Sequence, residues 1–164
     1  MSTGGDFLQR LDAAEARLAT LAADEPQPDA LTDADPSSGE RWDRGQVWAH
    51  LAEFIPYWIG QTRPVLRGQA SEEPVPFGRT KSDPERIGAI ERDRHEAVST
   101  LWASTHEDIG LLRTFLGDLS NEQWLDVGLH PTRGPMTVSE ITEEFLVGHL
   151  EQHADQLDRL SAPR

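Results

Sequence analysis

The chain has 164 residues, enough for one domain that buries roughly 70% of its unfolded surface and too few for a comfortable second one. Its 29 acidic against 15 basic side chains leave a net charge of -14, a sign that repels phosphate and counts against nucleic acids and anionic membranes as partners. Cysteine is absent, which removes disulfides, thiolate ligands and a thiol nucleophile together, so any metal must be held by His and carboxylates.

The opening MSTGGDF has neither the basic start nor the apolar run of a signal peptide, and no segment approaches the roughly 18 apolar residues of a membrane span. A cytoplasmic protein is expected, with residues 1–5 disordered. All but one of the basic residues are Arg, as GC-rich bacterial coding would give.

Phe7, Leu11, Ala14, Leu18 and Leu21 recur at helical spacing behind Asp6 as a cap, predicting a first helix that ends near Ala22. Residues 23–41 are polar and Pro-rich without a usable period and read as a long connection with room for motion. Asp43 with Gln46 resembles a capping box and opens a second helix, RGQVWAHLAEFIPYWIGQT. Val47, His50, Leu51, Phe54 and Trp58 share one stripe of it, so His50 faces inward, and Pro56 should kink or loosen the helix one turn later. Residues 63–82, rich in Pro and Gly, read as a second long connection.

Asp83 and Pro84 form a cap with Pro at the first helical position, and the stripe from Ile87 through Ile90, Ala97, Leu101, Ile109, Leu112 and Phe115 predicts one helix towards Leu119, with a bend allowed at Gly110. His95 and His106 on it stand among Glu91, Glu96 and Glu107 and read as surface residues. Residues 120–136 look like loop. His130 there could cover one end of the molecule, with Arg133 available to an anionic substrate group, although a plain turn has the same appearance.

The last helix is predicted as one piece over residues 137–160, capped by Thr137 or Ser139 with Glu140 in support. Val138, Ile141, Phe145, Leu146, Leu150, Leu157 and Leu160 fall on one half of its wheel, and Glu140, Glu143, Glu144, Glu151, Asp155 and Asp158 on the other. His149 and His153 lie near the middle of the apolar arc. Four helices without a convincing strand predict an all-α four-helix bundle in a single domain, 1–164, and the long connections permit crossovers.

Two buried imidazoles one turn apart need partners, because an unpaired buried polar group costs roughly 1 to 3 kcal/mol. Water, a carboxylate or a metal ion would serve. A His-x-x-x-His pair alone is weak, but His50 lies on the inward stripe of another helix, and facing helices of a bundle can bring three nitrogens to one point. Three neutral nitrogens would leave coordination positions open. Glu53, one turn beyond His50, reads first as a solvated surface acid, and second as a group that orients a ligand or moves a proton. Gln156 could fix a ring from behind His153. Trp42, Trp48, Trp58, Trp102 and Trp124 could line a pocket, with core and rim packing the commoner role.

WDRGQVWAHLAEF with His50, and FLVGHLEQHADQL with His149, His153, Gln156 and Leu157, resemble the two signature helices of the DinB-like superfamily, which includes YfiT-type proteins and mycothiol-dependent maleylpyruvate isomerase N-terminal domains. The resemblance runs over nearly the whole chain and departs at His149, where some mycothiol-using members carry Glu. It implies a four-helix bundle of up-down-down-up order and a divalent metal, zinc or nickel before iron, held by His50, His149 and His153. It also implies an enzyme using a low-molecular-weight thiol, of S-transferase or isomerase type, with mycothiol as a candidate cofactor; Glu53, His130 and Arg133 are candidate catalytic groups by their positions alone. Three-histidine iron chemistry or hydrolysis by a metal-bound water is the first alternative, and a non-catalytic, stress-associated metal- or ligand-binding protein the second. The partner expected is a small molecule. Apolar helical stripes and five tryptophans also leave room for a homodimer.

Overall fold

The computed structural model describes residues 2–70 and 72–163. Helix α1 (Thr3–Ala23) is capped by Ser2, whose hydroxyl accepts from the Gly5 N–H, and not by Asp6. The residues expected to be disordered therefore form the cap and first turn, apart from Met1, which lies outside the described residues. Helix α2 (Arg44–Arg67) opens on the expected capping box of Asp43 and Gln46. It runs through Pro56 and Pro64 without a break, so its last turn occupies the start of what the composition marked as a connection. Ser71, within that connection, lies outside the described residues.

The predicted third helix is two, α3 (Pro84–Asp93) and α4 (Val98–Gly117), while Gly110 is accommodated within α4. The charged run ERDRHEA breaks the apolar stripe between them, and residues 94–97 turn the corner. The final helix is also two, α5 (Val138–Phe145), with the capping box of Thr137 and Glu140, and α6 (Val147–Leu160). Between them Leu146 leaves the helical range at φ -125° and ψ -93°. Gly148 makes this possible, since a Cβ there would stand 2.0 Å from the Glu143 carbonyl oxygen. Arg10 of α1 holds the junction from outside, donating to Glu143 of α5 at 2.7 Å and to Glu151 of α6 at 2.5 Å.

Helix α1 packs on α4 and α6, and α2 packs on the same two, so the consecutive helices α1 and α2 occupy diagonal corners. Cross-helix pairs give the directions. Arg17 with Asp155 and Arg10 with Glu151 make α1 and α6 parallel. Arg113 with Asp12 and His106 with Glu15 make α4 antiparallel to α1. Trp48 with Trp102 and Arg63 with Phe115 make α2 parallel to α4. Four-helix order is thus up-down-down-up, around a core that includes Leu11, Leu18, Trp48, Leu51, Phe54, Ile109, Leu112, Leu116 and Leu150.

Both connections are pinned. Residues 24–43 cross the end of α6 through Gln27 N–H to the Leu160 carbonyl at 2.9 Å and Ala162 N–H to the Glu25 carbonyl at 2.8 Å. Buried Thr32 closes that loop, its hydroxyl accepting from the Trp42 N–H at 2.9 Å. The segment expected to be loop holds a 3₁₀ turn (Gln123–Leu125) and an antiparallel hairpin of β2 (Val127–His130) and β3 (Gly134–Thr137). Beside β2 runs the parallel two-residue strand β1 (Val75–Pro76). Gly78 just after it has φ +89° and lies against the His130 ring, where a Cβ would meet Cδ2 at 2.7 Å. No helix among the described residues is long and apolar enough to cross a membrane.

Candidate metal centre

Antiparallel packing of α2 on α6 sets His50 against His149 and His153. The Nε2 of His149 lies 3.0 Å from the Nε2 of His50 and 3.0 Å from the Nε2 of His153. One ligand atom from each of the three lies within 4.8 Å of the others. The helical period delivers this: His50 sits one turn before Phe54 on the inward face of α2, and His149 and His153 are stacked a turn apart on α6. The break at Leu146 aims the start of α6 into the interior.

The outward nitrogens of His50 and His153 each face a side-chain oxygen. His153 Nδ1 donates to Gln156 Oε1 at 2.6 Å, the role the spacing suggested. His50 Nδ1 stands 3.0 Å from Glu53 Oε2, off the line of a good hydrogen bond but in close electrostatic contact with the carboxylate. A ring that keeps its proton on Nδ1 presents a lone pair at Nε2. His50 and His153 thus both turn acceptors towards His149, which has one proton to offer at most. At least one of the two 3.0 Å contacts therefore has no proton to share. A cation between the rings resolves this. Nitrogens about 2.0 to 2.1 Å from a shared tetrahedral ion stand about 3.3 Å apart, a few tenths wider than here.

Burial keeps the cluster neutral. Desolvation pushes His50 and His149 well below the ordinary histidine value and brings His153 down to about 4. Neutral imidazoles are the ligating form.

Glu53 is not a solvated acid. Its side chain is 11% exposed and both carboxylate oxygens accept from Arg79 Nη2 at 2.6 Å. Desolvation raises its pKa despite that partner. Arg79 lies over the Tyr57 ring, 3.9 Å from its centroid, so the acid behind His50 is itself held in place by a residue of the second connection.

The structure places His130 at the end of β2, buried, with both nitrogens engaged: Nδ1 accepts from the Thr132 and Arg133 N–H groups and Nε2 donates to the Arg79 carbonyl. It ties the hairpin to the second connection and has no spare lone pair for a ligand. Arg133, in the hairpin turn, pairs with Glu144 at 2.7 Å and is half exposed. His95 and His106 are exposed as expected, His106 pairing with Glu15. Trp48, Trp58 and Trp124 are buried in the core.

A cavity of about 940 Å³ opens beside the imidazoles and is lined by all three, by Trp42, Trp58 and Phe145, and by parts of both connections. Trp58 and Phe145 stack with centroids 4.1 Å apart, and Trp42 lies edge-on to His50. Trp42 and Trp58 therefore do border a pocket. The lining residues Arg79, in the second connection, and Arg86, in the first turn of α3, carry no sequence signal, since their place depends on how those two segments fold back over α2.

At the level of sequence, no family model and no curated protein matches the chain. Among solved structures it is similar to YfiT from Bacillus subtilis, described as a probable metal-dependent hydrolase with an unusual four-helix bundle topology, with a TM-score of 0.70 and 22% identity over 96% of this chain and 85% of that one. It is also similar to a protein from Streptococcus pneumoniae, with a TM-score of 0.60 and 9% identity over 98% and 92% of the two chains. These likenesses agree on the bundle.

Proposed function

We propose that this chain is a divalent-metal-dependent enzyme whose ion is held by His50, His149 and His153. The observation that carries the reading is the convergence of three neutral imidazoles on one point beside a cavity, His153 fixed as an acceptor by Gln156 and His50 backed by the Glu53 carboxylate. When bound, such an ion supplies a Lewis acid that lowers the pKa of a coordinated nucleophile and leaves positions open for it. The protein's share is orientation. Gln156 fixes the tautomer of His153, and the Glu53–Arg79 pair holds a negative charge behind His50 that makes its ring a better donor. Trp42, Trp58 and Phe145 give the cavity apolar walls that restrict water.

For the nucleophile we assign a low-molecular-weight thiol, with mycothiol as a candidate, in a transfer or isomerisation. A chain without cysteine must borrow its sulfur, and the cavity has room for a small thiol with an electrophile. Hydrolysis by an activated water is the second reading, favoured by the likeness to the probable metal-dependent hydrolase YfiT. Zinc or nickel suits the nitrogen set, with iron(II) third. A cytoplasmic site of action agrees with a thiol cofactor.

Elemental analysis of protein purified without an affinity metal column, beside the triple variant His50→Ala, His149→Ala, His153→Ala, tests the ion. Near-stoichiometric metal in the parent and none in the variant is expected, and a parent that takes up no zinc, nickel or iron(II) refutes the proposal. Loaded protein is then offered an activated aryl halide with a thiol, and an aryl ester without one. Thiol-dependent turnover supports transfer, ester turnover supports hydrolysis, and neither leaves a binding protein.

A further inference from the structure

Among the described cations that line the cavity, Arg79 is paired with Glu53, Lys81 with Asp35, and Arg133 with Glu144. Arg86 differs. Its guanidinium has no carboxylate within 4.0 Å; Nη1 donates to the Lys81 carbonyl at 2.9 Å and the group lies over the Trp42 ring at 5.4 Å. The side chain is partly buried, so its charge is incompletely hydrated; Glu53 foremost, then Glu40 and Asp35, reach it only through longer-range attraction, and Arg79 repels it. Trp42 carries the guanidinium on one contact and touches the rings of His50 and His153 on others, with centroids 5.4 and 6.4 Å away. The charge of Arg86 is felt at all three imidazoles.

A half-desolvated cation that no carboxylate touches, beside three ligands for a second cation, is stabilised when an anion joins them. The remaining guanidinium donors form a planar fork suited to a carboxylate, and the apolar wall of Trp58 and Phe145 borders the same cavity. We propose that Arg86 anchors the carboxylate of a substrate whose apolar body lies against Trp58 and Phe145, fixing the substrate class of this site as organic acids. This deepens the metal-dependent reading and rests on it for the reaction, though not for the binding. The residue that the sequence offered for an anionic group, Arg133, is already neutralised by Glu144.

The probe is benzoate, with benzamide as its uncharged counterpart, titrated by calorimetry into chelator-stripped and zinc-loaded protein. Benzoate should bind stripped parent at least tenfold more tightly than benzamide, and Arg86→Gln should remove that preference while Arg86→Lys keeps part of it. Zinc stoichiometry, measured separately, should stay at the parental level in Arg86→Gln. Equal affinity for benzoate and benzamide in the parent, or an undiminished preference in Arg86→Gln, overturns the assignment whatever the metal result. A preference that depends on Arg86 in a protein that takes up no metal supports the anchor and refutes the metal reading alone.

Discussion

Replacing His149 by Leu separates the two ways in which the imidazole cluster can be held. In the metal-free chain His149 is the ring that both others approach, each at 3.0 Å, and it brings one proton to two acceptors. An unmet buried acceptor costs roughly 1 to 3 kcal/mol, and Leu fills similar space against Phe54, whose centroid is 4.8 Å from that of His149. Metal-free His149→Leu should therefore exceed the metal-free parent by about 1 to 2 kcal/mol, or about 2 to 8 °C in Tm for a chain of this size. Free zinc at a hundred times its Kd should invert the order, adding about 2.7 kcal/mol, or about 5 to 10 °C, to the parent and little to a variant with two ligands left. Scanning calorimetry on chelator-stripped protein with and without zinc reads both effects. A metal-free variant that melts below its parent, with a parent unmoved by zinc, would show the rings sustaining one another by hydrogen bonds and refute the reasoning.

Gly148→Ala puts a Cβ 2.0 Å from the Glu143 carbonyl oxygen and should cost about 2 to 4 kcal/mol. Urea denaturation measures that loss, and zinc affinity should fall with it because His149 is the next residue. Glu53→Gln leaves the guanidinium of Arg79, 9% exposed, without its carboxylate. A loss of about 3 kcal/mol is expected, while Glu53→Ala with Arg79→Met in the same chain should recover part of it, and a double-mutant cycle checks the coupling. Asp108 has a buried Oδ2 without a partner, and burial raises its pKa to about 6 from 3.8. Between those values the unfolded chain releases the proton while the fold retains it, so this group's contribution falls as pH rises through the window and stays unfavourable above it. Asp108→Asn should accordingly stabilise at pH 7 by about 1 kcal/mol, discounted for partial exposure, and have little effect near pH 3.5. Melting curves at the two pH values test the sign.

The three-histidine cluster is legible in the sequence because its members sit on helices, where position in the period decides direction: His50, His149 and His153 share faces with Val47, Phe54 and Leu150. Gln156 was legible for the same reason. The sequence pattern of Glu53 is that of a solvated acid because its partner, Arg79, comes from a connection that carries no period. The hairpin carries little sequence signal because VGLH and GPMT are four residues each, with two Gly, one Pro and only two β-branched residues, Val127 and Thr137. The break at Leu146 was invisible because the apolar stripe continues through it. Its trace in the sequence is Gly148, whose need arises only when the Glu143 carbonyl folds over it. The gap between α3 and α4 could have been read from ERDRHEA, where the stripe lapses for two turns.

The diagonal placement of α1 and α2 has a consequence for how the chain is made. The apolar stripe of Phe7, Leu11, Leu18 and Leu21 finds its main partners on α4 and α6, and few on the helix synthesised next. At about 5 to 20 residues per second, translation takes several seconds to pass from the end of α1 to the start of α4. During that interval the stripe meets little of its native surface, whereas an up-down hairpin would bury it at once. Folding is therefore deferred to long-range closure, which slows it. It also exposes the first helix to capture by other nascent chains, so α1 is where crowded synthesis should first produce aggregation.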